Sequence, residues 1–352
     1  MDATTTSLEA GEIPFARVQA LCRLSGMDAI AVMSAPQELD GAGFERMLAD
    51  GIGDMQWLIA QRELRRHPRS LLPGASRLVC TALPYQPTAD TSAQHPPGPD
   101  GATLRRARYA AGSDYHTLYR TKLARVGDAL DQEFPGSFSH RALVDSAPLN
   151  ERQLALQAGL GWIGRNALVI SPRTGSYHFL GYLLSTAPLQ LHQGSDGQDR
   201  CGRCHACETR CPTAALIDRR VLSERCISYL TIEHQGVIPL ELARSFEGWW
   251  YGCDLCQEAC PWNRFAVVSG DLRLTGDEPS CETLLAVTAE DFDQVFRGRA
   301  IRRIGYVRFR RNLLVALFSL GRLDEARRIL RESAALALVV EQARELALSP
   351  DA

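Results

Sequence analysis

Cys201-Gly202-Arg203-Cys204-His205-Ala206-Cys207-Glu208-Thr209-Arg210-Cys211-Pro212 is the stretch on which the reading of this chain turns. Its short, regular gaps let one loop wrap a cubic iron–sulfur cluster, while the cysteine before proline reaches away to a second cluster. A second array follows at Cys253, Cys256, Cys260 and Pro261, but Trp250 stands where its first cysteine belongs. Two four-iron clusters need eight thiolates, and the two arrays supply seven. Cys226 is the one further cysteine between them. The expected sets are therefore Cys201, Cys204, Cys207 and Cys260 for one cluster, and Cys211, Cys226, Cys253 and Cys256 for the other. Structural zinc and a disulfide framework compete for such spacings. The triple array closing on Cys-Pro occurs twice and zinc has no need of it, which favours clusters.

With 352 residues, 45% of them apolar, the chain is long enough for two or three domains around a large core, and it is not intrinsically disordered. Met1 to Leu8 is polar, without the basic and apolar regions of a secretory signal, and no apolar run approaches the roughly 20 residues of a membrane helix. Eleven cysteines without an export signal argue for thiolate ligands in a reducing cytoplasm. A cytoplasmic monomer that does not engage a membrane is the expectation. The net charge of −2 hides segregation: Arg297 to Arg331 contains eleven arginines against two acids, Asp324 and Glu325. Arginine is used throughout, since Lys122 is the only lysine, yet this clustering exceeds that bias.

Outward from the cysteines, the chain reads as an α+β protein: an N-terminal α/β domain over 1–193, a two-cluster ferredoxin-like module over 194–265, and a short helical, HEAT-like repeat over 266–352. Residues 1 to about 75 read as helices, with helical apolar spacing in Phe15 to Leu24 and Met55 to Leu64. Strands are expected at Leu78 to Leu83, Ala167 to Ile170 and Tyr177 to Ser185, with a short one between Ala142 and Leu149 that ends in Asp145-Ser146-Ala147-Pro148, and a surface loop from Pro84 to Gly101. Asp114 can cap a helix running to about Phe134. Phe309 to Leu320, Leu323 to Leu330 and Ala334 to Leu348 read as helices that cannot bury their own faces and must pack on the rest of the protein.

Three local patterns bear on chemistry. Gly159-Leu160-Gly161-Trp162-Ile163-Gly164 matches the dinucleotide fingerprint in letters only, because a helix precedes it and a strand follows, the reverse of what that fingerprint requires. Its glycines are better read as places where backbone approaches backbone or a flat cofactor. Asp145-Ser146-Ala147-Pro148 puts a carboxylate at a strand end before a turn. Asp114-Tyr115-His116-Thr117-Leu118-Tyr119 begins like the motif that gives cobalamin a histidine ligand, but Tyr119 replaces its glycine, and a helix start with a hydrogen-bonded histidine is the preferred reading.

Several segments together resemble epoxyqueuosine reductase: Arg108-Tyr109-Ala110 with Gly112-Ser113-Asp114-Tyr115-His116, Val144-Asp145-Ser146-Ala147-Pro148-Leu149, and Gln157 to Asn166. Arg225 to Glu233, Gly252 to Gln257, Arg303-Ile304-Gly305-Tyr306 and Arg311-Asn312 extend the likeness across almost the whole chain from about residue 55. The resemblance implies two four-iron clusters, a cobalamin without a protein ligand to cobalt, and a tRNA substrate. It implies that the epoxide on the cyclopentane ring of the wobble base is reduced to an alkene, with its oxygen lost as water. Reduced cobalt is a strong nucleophile or electron donor, and low-potential clusters can reload it one electron at a time.

The leaving oxygen must be protonated, and Asp145 matches the family's proton donor. For cofactor contacts the resemblance points to Arg66, Arg108, Asp145 itself, Val169 and Ser228, with Trp162 and Asn166 packed nearby. The chain departs from the family's usual pattern in having Ser146-Ala147 for Thr-Gly and Arg165 for lysine. Arg302, Arg303, Arg308, Arg310 and Arg311 are expected to neutralise tRNA phosphates while the modified base is splayed out of its loop. An electron donor outside the chain is required, and the sequence does not identify it. Two rival classes are a corrinoid reductive dehalogenase, against which the arginine-rich tail counts, and a ferredoxin-like carrier, which has no use for so large an N-terminal domain.

Overall fold

The computed structural model describes residues 11–86, 104–134, 136, 138–276 and 279–350. Met1 to Leu8, and the expected surface loop beyond residue 86, lie outside them. The first half is built on a four-stranded sheet of β1 (Ile30–Ser34), β2 (Arg77–Pro84), β3 (His140–Leu143) and β4 (His178–Ser185), in the order β1-β2-β4-β3. Every neighbouring pair is antiparallel, and β2 and β4 pair over their whole length, from Arg77 opposite Ser185 to Pro84 opposite His178.

Successive side chains of a strand point to opposite faces, so β2 feeds two cores at once. Val79 and Leu83 meet α1 (Phe15–Leu24) and α2 (Tyr115–Glu133), packing with Val18, Tyr119 and Leu123. Leu78 and Cys80 face the other way, toward Leu154 and Ala155 of the helix Glu151–Gln157. Each such fully buried aliphatic side chain contributes roughly 1.5–3 kcal/mol. Asp114 caps α2 as expected, accepting the His116 backbone N–H at 3.0 Å; such caps contribute about 1 kcal/mol.

Three expectations change. The sheet is antiparallel, so the α/β description of the first domain gives way to an α+β sandwich. A strand buried on both faces has the same continuous apolar run whatever its direction, which is why its sequence could not decide. Ile30–Ser34, placed among helices, is a strand pairing Val32 with Val79. It is five residues long, too short to display a period. Met55 to Leu64 is broken into Trp57–Ala60 and Arg62–Arg66.

The glycine run behaves as expected of close backbone approach. Gly161 lies against Ile170, where an added Cβ would come within 2.0 Å of its carbonyl oxygen, and at Gly159, with φ +73°, an added Cβ would come within 2.4 Å of the Ser195 carbonyl oxygen.

The second half has one continuous core. Helices Gly305–Ser319, Leu323–Glu332 and Ala337–Glu345 pack with Ile227–Ile232 and the strand Trp249–Tyr251. Trp250, in the place of the missing cysteine, is fully buried and meets Phe309 edge-on at 5.7 Å. Trp249–Tyr251 also pairs in parallel with Arg105–Arg106, tying the two halves together.

Candidate functional site

The eight cysteines stand around two cavities. Cys201, Cys204, Cys207 and Cys260 line the smaller, with Arg165, Asn166 and Trp262; Cys211, Cys226, Cys253 and Cys256 line part of the larger, and Asn166 borders both. These are the two sets expected from spacing. Cys226 comes from the N-terminus of its helix and Cys253 and Cys256 flank the start of another, so the inner set is gathered from three turns of chain. Among the described residues, no group of three or more His, Cys, Asp or Glu side chains is gathered as a single metal ion would require.

The donor set suits iron–sulfur cages. Trp162 Nε1–H donates to Cys201 Sγ at 3.4 Å and Ala215 N–H to Cys211 Sγ at 3.3 Å, the kind of N–H to sulfur contact that tunes cluster potential. Burial pushes the Cys207 thiol up to about 11, and the Cys253 and Cys256 thiols well above their ordinary value. Thiols held in this way ligate as thiolates only by giving up their protons to the incoming metal's charge.

The larger cavity is a cleft of about 1160 Å³, mouth included. Tyr85, Tyr109, Tyr115, His178 and Phe179 form an aromatic wall, and Ser228 lies on the cysteine side. Burial pulls the His178 ring down to about 4, so it is neutral, and its Nδ1 is 2.9 Å from Thr174 Oγ1.

Behind Tyr115 stands an acid–base group assembled from two segments. The Tyr115 hydroxyl donates to Asp145 Oδ2. His116 Nε2 lies 2.8 Å from Asp145 Oδ1, and its Nδ1 lies 2.6 Å from Asp114 Oδ1. The Nε2 contact is an ion pair without an aligned hydrogen bond, since Oδ1 is buried and accepts none. Burial by itself would lower the His116 pKa, but the two carboxylates outweigh it and raise it to about 9. Both ring nitrogens are thus engaged by carboxylates, and none is left to ligate cobalt.

Two residues missed by the sequence reading sit close by. Arg65 is buried and donates to the Leu149 carbonyl at 2.6 Å, within electrostatic reach of Asp145 and Glu151. Burial, then the charge of Asp145, holds the Glu151 carboxyl well above the usual carboxylate range. Arg65 neighbours the expected Arg66, and only the turn of a short helix separates their directions.

The other cofactor candidates are placed variously. Arg66 pairs with Glu38 at 2.5 Å and does not line the cleft. Leu168, not Val169, reaches it, because Val169 is turned into the ribbon with Ile163. Arg108 lies behind Ala107, its guanidinium 4.4 Å above the Tyr177 ring and 3.8 Å from Glu258, with all three nitrogens buried and without a hydrogen-bond partner. Asn166 Nδ2 and the Tyr177 hydroxyl are likewise buried and unbonded.

The arginine expectation is partly overturned. Arg311 is fully buried, donating to the carbonyls of Leu230, His234 and Gly236 at 2.8, 2.9 and 2.7 Å. Its burial lowers its pKa to about 9. Arg310 is buried against Ser333, the Leu285 carbonyl and Glu332. Neither can reach a phosphate: both hold helices together, and in sequence a buried arginine is written like an exposed one. Arg302 and Arg303 are about half exposed, paired with Asp293 and Glu233 at 3.0 and 2.8 Å, while Arg308 braces the Ile232 carbonyl. Arg303 lies within electrostatic reach of Tyr109, Tyr115 and Tyr251.

Comparison with known proteins adds independent findings. Residues 200–263 match a family model described as "4Fe-4S double cluster binding domain", and residues 65–146 one described as "Epoxyqueuosine reductase QueG, DUF1730". The chain is 42% identical over 270 residues to epoxyqueuosine reductase of Vibrio cholerae, covering 75% of this chain and 72% of that one. It is 42% identical over 282 residues to that of Pseudomonas aeruginosa, covering 78% and 77%. The solved epoxyqueuosine reductase of Streptococcus thermophilus superposes with a TM-score of 0.71 at 25% identity, over 96% of this chain and 95% of that one.

Proposed function

The chain belongs to the epoxyqueuosine reductase family, and from that premise we propose that it reduces the epoxide of epoxyqueuosine, in the wobble position of tRNA, to the alkene of queuosine. Two electrons and two protons enter, and the epoxide oxygen leaves as water. The observation that carries this reading is the cleft itself, with a quartet of cysteines in one wall and the Asp145 group behind the opposite, aromatic one.

A corrin suits such a place. Its flat apolar faces complement the aromatic wall, and its amide-bearing rim complements the buried, unbonded Asn166 amide in the lining of the cleft. Bound there, cobalamin would supply the reducing chemistry that the epoxide needs. Ser228 and Leu168 would hold it from the sides. Asp145 would relay to the departing oxygen a proton supplied by the His116 imidazolium 2.8 Å away, while the Tyr115 hydroxyl fixes the carboxyl's orientation and Asp114 holds the ring. The cysteine quartets would hold the two clusters, which would supply electrons received from a donor outside the chain.

The tRNA-facing part is the helical region after about residue 265, with the catalytic domain ending near 193 and the cluster module between. Arg302 and Arg303 meet phosphates there, and Arg308 supports them. Among the described residues no helix is long and apolar enough to cross a membrane.

The test is to incubate reduced, cobalamin-loaded protein with epoxyqueuosine-bearing tRNA and weigh the nucleosides. A product lighter by one oxygen is expected, and unchanged epoxyqueuosine would overturn the reading. The Asp145→Asn variant should keep clusters and corrin while losing turnover.

A further inference from the structure

The two quartets differ in their access to solvent. The inner one lines the cleft, whereas in the outer one Cys204 is exposed. Cys260 of the outer set leads directly into a short helical turn, Pro261–Phe265. At the end of that turn Phe265 is 77% exposed, and Val267 just beyond is 37% exposed. Arg264 on the same turn and Arg203 beside Cys204 are both exposed, and neither has an ion-pair or hydrogen-bond partner among the described residues. The nearby acids are already neutralised: Asp196 by Arg200, Glu208 by Arg165 and His205, and Asp199 by Arg219. The surface over the outer quartet therefore combines an apolar knob with uncompensated positive charge.

Resting on the function proposed above, we propose that this face, centred on Arg203, Arg264 and Phe265, docks an acidic one-electron carrier protein that reduces the outer cluster. Each docking oxidises the carrier by one electron and reduces the cluster by one; two dockings deliver the two electrons that, with two protons, convert epoxide to alkene and water. Small interfaces of this kind suit redox encounters, in which opposite charge sets the on-rate and a few apolar contacts hold the pair briefly. A second copy of this chain fits the face poorly. A two-fold contact would set Arg203 and Arg264 of one copy against the same arginines of the other.

The experiment uses the holoprotein, with clusters and cobalamin, and flavodoxin as the acidic carrier. Affinity for oxidised flavodoxin is measured against ionic strength, and cluster reduction by the reduced form is followed by stopped flow. Reduced methyl viologen, which needs no docking face, serves as the second reductant. For the Arg203→Glu/Arg264→Glu protein, affinity and reduction rate with flavodoxin should fall about tenfold or more at low salt, and the steep salt dependence should flatten. Phe265→Ser should weaken binding by about tenfold at all salt concentrations. Methyl viologen should reduce all three proteins at one rate.

Undiminished flavodoxin binding by the double variant would overturn the proposal. So would an equal loss with methyl viologen, or a change of mass in solution caused by Phe265→Ser, which would make the face a self-contact. Because binding is read without turnover, failure of the functional reading shows separately, as wild-type protein that methyl viologen reduces but that leaves epoxyqueuosine intact.

Discussion

The cleft has two unlike sides. The cysteine side is drawn from one continuous stretch, residues 201–260, and its spacing alone assigns it. The acid side is assembled from Arg65, Asp114, Tyr115, His116, Asp145 and Glu151, brought together by the antiparallel sheet and the cap of α2. On the proposed reading the first is a metal cage whose ligands are mostly local in sequence, with Cys226 and Cys260 brought in by the fold, and the second an acid–base group whose two segments meet only in space. Electron supply and proton supply are therefore separable, and substitutions should divide them.

The largest effect is expected on the cysteine side. Cys226→Ala removes a ligand of the inner quartet, so iron content should fall to about half and turnover should be lost. Full iron content and activity would remove Cys226 from the set. On the acid side, Asp145→Asn should lower turnover by about 10²- to 10⁴-fold while both cluster and corrin spectra stay unchanged. Loss of iron in that variant would mean that the two sides are not independent.

His116 sharpens the contrast through pH. Its pKa is raised from 6.5 to about 9 in the folded protein. Its charge therefore contributes stability that is fully present below about pH 6.5 and is lost as pH rises through about 9. His116→Gln should cost on the order of 3 kcal/mol at pH 6 and much less at pH 10, by urea unfolding at both values. An equal cost at both would show that the ring acts by packing alone.

A smaller effect separates the arginines. Arg303→Gln should weaken tRNA binding a few-fold and reduce the salt slope by about one phosphate contact, without changing stability. Arg311→Met should do the opposite, destabilising the helices while folded protein binds tRNA as before, because its donors serve three carbonyls inside the core. Loss of salt slope in Arg311→Met would put that guanidinium on the surface after all.

Sequence made the cysteine side readable because ligand spacing is local, down to the need for Cys226. It also gave Asp114 as a cap, the helices after Phe309, and the glycine run as a close backbone contact. The direction of the sheet was not readable, since hydrogen-bond pairing between β2 and β4 leaves no mark on a strand buried on both faces. Nor was the fate of each arginine. Burial of Arg310 and Arg311 depends on carbonyls supplied from residues 230–236 and 285. His116 agrees, through its Asp114 contacts, with the sequence reading of a hydrogen-bonded histidine at a helix start. Its engagement with Asp145, 29 residues on in the chain, appears only in three dimensions.

The most direct test of the central claim, that the cysteine side feeds electrons to a corrin lodged against the acid side, is metal and corrin analysis of one anaerobic preparation. About eight iron and eight sulfide per chain are expected, with one equivalent of cobalamin bound and reduced only after the clusters. Protein containing zinc in place of iron, or clusters without affinity for cobalamin, would contradict it.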